Sequence, residues 1–165
     1  MRAFRLCAAH RDPRDPTGAQ KWGGRWNSPG KAVLYAASSL SLACLEILVH
    51  LRDPSNLPDF IYVEIQMSTE EVAVWSRLAS ETRPILESEQ LSREIGDRWL
   101  RDPSLGFPPL RRGGESAPVM EVPSVVVPQE RNYLLNPEHP RFSQLTWSAP
   151  QPFRIDPRLI DPGLR

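Results

Sequence analysis

One carboxylate, Glu46, lies within an otherwise apolar helical run of this chain. Its neighbours three or four positions away along a helix include Leu42, Ala43 and Val49, so none of these can neutralise it. A carboxylate is almost never fully buried without a partner. The pattern therefore predicts that a cation reaches Glu46 from elsewhere in the fold, and Arg25 is the nearest strong candidate.

The size and charge of the chain limit what it can be. A length of 165 residues with 40% hydrophobic content predicts a single domain over residues 1–165, with one substantial core. Twenty basic and twenty acidic side chains give a formal net charge of zero. Nucleic-acid binders usually carry a basic surface, so we expect no direct DNA or RNA partner.

The cysteines and histidines do not form a metal or disulfide pattern. Cys7 and Cys44 are far apart, and His10, His50 and His139 are scattered. We therefore expect no metal site and no disulfide framework. No apolar run approaches the ~18 residues of a membrane span, and the first residues do not resemble a signal peptide. The sequence predicts a soluble, cytoplasmic protein.

Local patterns predict several elements in the first half of the chain. Ser38 or Ser39 is expected to cap a helix that continues to about Leu51 and carries Glu46 in its second half. The segment 12–18 predicts a loop that runs into a turn at Gly23 and Gly24. Strands are predicted over residues 3–8, 32–36 and 60–67.

The second half predicts shorter elements. Residues 68–71 have the spacing of a capping box, which predicts a short helix to about Leu78, and Ser88 is expected to cap a helix that ends near Leu100. Twelve of the eighteen prolines follow residue 100, which favours strands and loops there. We expect a strand over 122–128 that lies at a sheet edge or is entered at its first residue, and a turn-rich segment over 132–137.

Seven segments stand out in order along the chain: Arg5, Gly24–Asn27, Val33–Ala36, Leu42–Glu46, Gly96–Leu100, Pro123–Ser124 and Asn132–Pro137. Together they resemble the RES-domain family, the toxin half of RES–Xre toxin–antitoxin pairs. The resemblance spans nearly the whole chain and includes the arginine, glutamate and serine after which the family is named.

The resemblance implies a fold, a substrate and a partner. The implied fold is a compact α+β domain related to ADP-ribosyltransferase toxins, with curved mixed or antiparallel sheets and flanking helices. NAD⁺ would be a substrate, with no prosthetic group. The implied partner is a cognate Xre-type antitoxin with a helix-turn-helix domain.

The candidate residues match the charges of NAD⁺. Cleavage of the nicotinamide–ribose bond develops positive charge on the ribose, and Glu46 can stabilise that charge or orient the nucleophile. Arg5 and Arg25 can bind the pyrophosphate through planar guanidinium groups. Tyr35 is a candidate for stacking on nicotinamide or binding the ribose. We assign Glu46, Arg25 and Tyr35 to catalysis.

The remaining substrate-binding candidates are Ser124 and Asn132, whose side chains can hydrogen-bond NAD⁺. Each candidate also has a structural interpretation. Glu46 can form an ion pair with His50 or Arg25, while Tyr35 can be a core aromatic with a satisfied hydroxyl. Ser124 can bond to backbone, as hydroxyls at strand edges often do.

Three functions remain open from the sequence. In the first, water or phosphate captures the ribosyl group, so that the toxin depletes NAD⁺ and arrests growth. The second uses the same site to transfer ADP-ribose to a host protein. The third is a catalytically silent module that only binds its partner. The glycines at 23 and 24 do not form a dinucleotide-binding fingerprint, so any NAD⁺ site is not of the Rossmann type.

Overall fold

The computed structural model describes residues 1–51, 57–74, 87–101 and 117–160. Within them, eight strands form one sheet in the order β4-β5-β6-β2-β1-β3-β7, and β8 also pairs with β3. The strands are β1 (Arg2–Ala8), β2 (Leu34–Ala37), β3 (Phe60–Gln66), β4 (Val72–Val74), β5 (Val119–Pro123), β6 (Arg131–Leu135), β7 (Thr146–Trp147) and β8 (Gln151–Phe153). The helices are α1 (Thr17–Trp22), α2 (Leu40–Leu48) and α3 (Glu89–Arg101), with 3-10 turns at Phe142–Gln144 and Pro157–Leu159.

The register of the central strands decides which side chains share a face of the sheet. In β2 and β6, Tyr35 lies opposite Leu134 and Ala37 lies opposite Asn132. Val122 of β5 lies opposite Asn132 on its other side. Directly paired residues of antiparallel strands share a face, and side chains alternate between faces along a strand. Asn132 and Tyr35 therefore lie on the same face of the sheet, on neighbouring strands and two residues apart along the strand direction.

Helices α2 and α3 cover different parts of that face. The cluster around α2 includes Leu6, Ala37, Leu42, Cys44 and Phe60. The cluster around α3 includes Trp26, Ile95, Trp99, Met120 and Leu134. Asn132 falls between the two, because its neighbours on the same face, Ala37 and Leu134, belong to one cluster each. Asn132 is thus a polar residue between two apolar cores.

Several predicted elements are confirmed. The expected α+β class is correct, and strands β1 and β3 begin and end within two residues of their predicted bounds. Ser39 caps α2, since its Oγ accepts a hydrogen bond from the backbone N–H of Leu42 at 3.0 Å. Ser88 does the same for α3 by accepting from Leu91 N at 3.1 Å. Local capping chemistry was therefore a reliable guide to these helices.

The capping box at residues 68–71 gave a wrong prediction. The expected side-chain contact forms, since Ser68 N donates to Glu71 Oε2 at 2.6 Å. The chain then enters strand β4 instead of a helix, and the rest of the predicted helix to Leu78 lies outside the described residues. Pairing with β5 in parallel explains the difference, because Val72 lies opposite Val119 and the β-branched side chain suits a strand.

The predictions for 122–128 and 132–137 were also wrong. The strand β5 ends at Pro123 instead of beginning nearby, and it lies between β4 and β6 instead of at an edge. The segment expected to be turn-rich contains most of β6, a strand paired on both sides. Residues 17 and 18, expected in a loop, begin α1. None of the helices in the described residues is long and apolar enough to cross a membrane.

Candidate active site

Glu46 is held by two neutral donors. Helix α2 carries the half-buried carboxylate to the ends of β5 and β6, where Glu46 Oε1 accepts from Ser124 Oγ at 2.8 Å and from Asn132 Nδ2 at 2.5 Å. No ion pair of Glu46 is found among the described residues, so the expected cation was wrong, whether from Arg25 or from His50. Within the described residues Glu46 thus accepts from neutral donors alone, and the residue is only half-buried.

Ser124 has no hydrogen-bonding capacity left. It is fully buried, and its Oγ accepts from the backbone N–H groups of Val126 at 3.1 Å and Val127 at 3.0 Å while donating to Glu46. A serine hydroxyl has one donor hydrogen and two acceptor lone pairs. All three are used, so Ser124 joins the turn after β5 to the carboxylate.

Asn132 is only half satisfied. Its amide nitrogen donates to Glu46, while its Oδ1 is buried without a hydrogen-bond partner in the described part of the chain. Leaving a buried acceptor unpaired costs about 1–3 kcal/mol, and native structures contain few such groups. Trp99 Nε1 is also buried without a hydrogen-bond partner in the described residues. The fold thus keeps Asn132 at a cost in stability.

A second contact fixes helix α2 relative to β6. Ser39 Oγ donates to Glu130 Oε2 at 2.9 Å, and Glu130 directly precedes β6. Helix α2 is therefore tied to the same strand near its start, through Ser39, and in its second half, through Glu46. The position of the carboxylate above β6 is set at two points.

Arg25 lies in a tight turn built around Tyr35. Gly24 and Asn27 form an isolated bridge, with Gly24 N donating to Asn27 O at 2.9 Å. The Tyr35 hydroxyl donates to Asn27 Oδ1 at 2.8 Å and accepts from Trp26 N at 3.0 Å. Burial raises the pKa of Tyr35, so its hydroxyl is neutral. These contacts match the structural interpretation of Tyr35 as an aromatic with a satisfied hydroxyl.

Helix α3 packs directly against this turn. Gly96 has no side chain at the contact, where an added Cβ would lie 1.8 Å from Trp26 O. Ser92, fully buried, accepts a hydrogen bond on Oγ from Arg25 Nε at 3.2 Å. Two further bonds join the same elements: Ser28 N donates to Asp97 Oδ1 at 2.8 Å, and Arg93 Nε donates to Gly24 O at 3.4 Å.

The contribution of α3 was missed by sequence reasoning. Gly96 and Asp97 stand in one of the segments that resemble the family, and that was the available signal for them. Nothing in the sequence distinguishes Ser92, because a buried serine inside a helix is locally unremarkable.

Arg5 is anchored by backbone carbonyls. Its Nε donates to Pro13 O at 2.7 Å and its Nη1 to Tyr35 O at 2.8 Å. Burial lowers the pKa of the Arg5 guanidinium, which still remains charged because arginine does not deprotonate in proteins. Strand alternation assigns Arg5 to the face opposite Phe4, whereas Phe4 shares the face of Ala37 and Asn132. The Nη2 group has no partner in the described residues.

The sheet brings the supports of Arg25 and Glu46 close together. Tyr35 holds the arginine turn and Asn132 holds the carboxylate, and they occupy adjacent strands on one face. The pair that contains Tyr35 and the pair that contains Asn132 are two residues apart along the strands, which is about 7 Å. A surface cavity of about 490 Å³ lies elsewhere, beside Met1, Gln66 and Glu71. The described residues contain no group of three or more metal-binding side chains.

Comparison with known proteins gives consistent matches. The family model described as "RES domain" matches residues 2–156. "Toxin Res" of Yersinia enterocolitica is 38% identical over 150 residues, covering 86% of this chain and 87% of the relative. "Prs ADP-ribosylating toxin" of Sphingobium sp. is 33% identical over 153 residues, covering 90% and 88%.

A solved structure shares the fold. The match is to a chain in the crystal structure of the M. tuberculosis MbcT–MbcA toxin–antitoxin complex, with a TM-score of 0.70 and 16% sequence identity. It covers 96% of this chain and 86% of that chain. At this identity the likeness concerns the fold alone, and it agrees with the α+β class seen here.

Proposed function

Since this chain belongs to the RES domain family, we propose that it is the toxin of a toxin–antitoxin system and that it cleaves the nicotinamide–ribose bond of NAD⁺. The names of its relatives, "Toxin Res" and "Prs ADP-ribosylating toxin", support this proposal. The observation that carries it is the state of Glu46, a half-buried carboxylate with one oxygen fixed by two donors and the other without a partner among the residues that the structure describes.

The chemistry requires a negative charge beside the ribose. As the bond between C1′ and the nicotinamide nitrogen breaks, its electron pair neutralises the pyridinium and positive charge develops on the ribose. Glu46 Oε2 stabilises that charge in a partly water-free site. Water or phosphate then forms a bond to C1′ and releases a proton, giving ADP-ribose or its phosphate ester.

Arg25 is assigned to the pyrophosphate. It projects from a turn that α3 holds in place, and Ser92 accepts a hydrogen bond from its Nε. Charged planar donors of this kind suit phosphate oxygens. Arg5 stays a predicted substrate-binding residue, but its strand position lies on the face opposite Asn132 and backbone carbonyls hold two of its guanidinium nitrogens, so we assign it no contact with the pyrophosphate. Tyr35 supports the arginine turn in this proposal, and NAD⁺ is a substrate rather than a resident cofactor.

Glu46→Gln tests the proposal directly. The purified protein should release nicotinamide from NAD⁺, and the variant should lose about 100-fold or more of that activity while its melting temperature changes little. Glu64→Gln is a matched control, since Glu64 lies on β3 in an ion pair with Arg2 and should leave activity unchanged. Full activity of Glu46→Gln, or an inactive wild type, would contradict the proposal. Products formed with and without phosphate identify the nucleophile.

Transfer of ADP-ribose to a host protein is the second candidate. The Sphingobium relative, named an ADP-ribosylating toxin, favours it. Incubation with labelled NAD⁺ and a cell lysate separates the two reactions. A discrete labelled protein without bulk loss of NAD⁺ would indicate transfer, whereas bulk loss without labelling would indicate depletion.

The proposed partner is a cognate antitoxin of the Xre type with a helix-turn-helix domain. The structural neighbour was solved in a toxin–antitoxin complex, which supports an antitoxin for this chain as well. Co-expression should suppress both growth arrest and NAD⁺ loss. If the free protein neither arrests growth nor consumes NAD⁺, the third possibility, a silent binding module, is correct.

A further inference from the structure

We propose that Asn132 and Ser124 are positioning residues that hold Glu46 by a single oxygen, and that neither contacts the substrate. The sequence suggested the opposite, because both residue types can hydrogen-bond NAD⁺. This inference rests on the proposed function of Glu46 and assigns its two neighbours a different task.

The hydrogen bonds divide the carboxylate into a fixed and an active oxygen. Both Ser124 Oγ and Asn132 Nδ2 donate to Oε1, at 2.8 and 2.5 Å. Oε2 accepts nothing from the described residues and is not among their buried unpaired atoms, and Glu46 as a residue is only half-buried. A substrate that approaches from solvent therefore meets Oε2, with the plane of the carboxylate already set.

Ser124 cannot take part in substrate binding without losing an existing bond. It has no exposed surface, and its hydrogen and both lone pairs are engaged. Its contacts with Val126 and Val127 connect the carboxylate to the backbone of the turn after β5. The serine thus transmits the position of that turn to Glu46.

Asn132 gives stronger evidence for a positioning role than Ser124, because its side chain lowers the stability of the fold. Its Oδ1 is buried without a partner in the described ranges of the chain, so an apolar side chain of similar shape would give a more stable fold there. The bond from Nδ2 to Glu46 Oε1 is the one hydrogen bond that the Asn132 side chain makes to the described residues. We therefore expect a substitution of Asn132 to reduce catalysis without reducing stability.

The test is Asn132→Leu in the full chain, measured for kcat, KM for NAD⁺ and melting temperature. The expected result is a fall in kcat of about 100-fold, because a small displacement of a catalytic group has effects of that size. KM should stay within about threefold of the wild-type value, because no substrate contact is lost. The melting temperature should be unchanged or higher.

Asn136→Leu is the matched control. Asn136 directly follows β6 and is buried, but its Oδ1 accepts from Glu138 N at 3.0 Å and so is satisfied. The control should therefore show the reverse pattern, a lower melting temperature with kcat retained per folded molecule. Asn132→Ala serves as the second variant if leucine does not fit. In its crystal structure the Glu46 side chain should occupy more than one rotamer.

The outcomes separate this inference from the proposed function. If the wild type cleaves NAD⁺ and Asn132→Leu or Asn132→Ala raises KM more than tenfold with kcat unchanged, Asn132 contacts substrate and the inference is wrong. Unaltered kcat and KM would also overturn it. A wild type inactive on NAD⁺ would defeat the proposed function instead, and the Glu46 rotamers in Asn132→Ala would still decide whether Asn132 holds the carboxylate.

Discussion

The carboxylate region (Glu46, Ser124 and Asn132) and the arginine turn (residues 24–28) are stabilised in different ways. Three side chains from α2, the turn after β5 and β6 meet in the carboxylate region through hydrogen bonds. The arginine turn is held by the Tyr35 hydroxyl and by helix α3, which approaches so closely that position 96 has no room for a side chain. Hydrogen bonds hold both regions, and the arginine turn adds close packing against α3.

This difference indicates how each region tolerates change. Close packing supports the fold as well as the position of Arg25, so damage to the arginine turn should appear first as a loss of stability. Counting only the residues that the structure describes, the carboxylate region contains a buried acceptor and a carboxylate oxygen that lack hydrogen-bond partners, so this arrangement lowers stability. Substitutions in the carboxylate region should therefore reduce activity without an equal loss of stability.

Gly96→Ala should have the largest effect. The added Cβ would overlap Trp26 O, a backbone atom, so α3 or the arginine turn must move. We expect a loss of about 3 kcal/mol in the free energy of unfolding, measured by denaturant titration. Gly18→Ala is the control, because its Cβ would meet only the end of the Arg11 side chain at 3.3 Å. Equal stability of the two variants would show that the packing is not tight.

Ser124→Ala should reduce both stability and catalytic activity. It removes a donor from Glu46 and leaves the N–H groups of Val126 and Val127 without their acceptor. We expect a loss of about 2 kcal/mol in stability together with a fall in kcat for NAD⁺ cleavage of about 100-fold. Chemical denaturation and a nicotinamide-release assay measure the two effects. A stable variant with normal kcat would refute the role of Ser124 in the carboxylate region.

Tyr35→Phe distinguishes support of the turn from catalysis. Without the hydroxyl, Trp26 N and Asn27 Oδ1 lose a partner, and we expect a loss of about 1.5 kcal/mol in stability. The kcat of the folded variant should change less than threefold. The opposite result, normal stability with kcat greatly reduced, would support the catalytic role predicted from the sequence.

Ser92→Ala should have the smallest effect. Arg25 Nε loses an acceptor, and the guanidinium becomes less well oriented for an anion. We expect KM for NAD⁺ to rise about fivefold, equivalent to about 1 kcal/mol, with little change in kcat. Ser41→Ala, at an exposed position of α2, is the control and should leave KM unaltered. If both variants have the wild-type KM, Ser92 does not orient Arg25.

Sequence reasoning was most successful where the signal was local. The cap residues Ser39 and Ser88 were identified correctly because each accepts from a backbone N–H three residues away. It was least successful in the C-terminal third, where β6 was expected to be turn-rich. Asparagine is depleted in strands, but Asn132 has a partner strand on each side, and this pairing outweighs the local preference.

The roles of the site residues remain predictions, but their contacts show what the sequence left undecided. Arg5, Arg25, Tyr35 and Glu46 were recognisable as candidates from residue type and from the family resemblance. The bonds of Tyr35 to the arginine turn and of Arg5 to backbone carbonyls had no counterpart in the sequence pattern.

By itself, the sequence determined the family, the α+β class and the helix that carries Glu46, since periodicity, capping and motif order act over short stretches of chain. Only the tertiary structure decided which groups hold that carboxylate. Ser124 and Asn132 are 78 and 86 residues distant along the chain from Glu46. They reach it because the register of β5 and β6 brings both beneath α2, and strand register depends on pairing between distant segments.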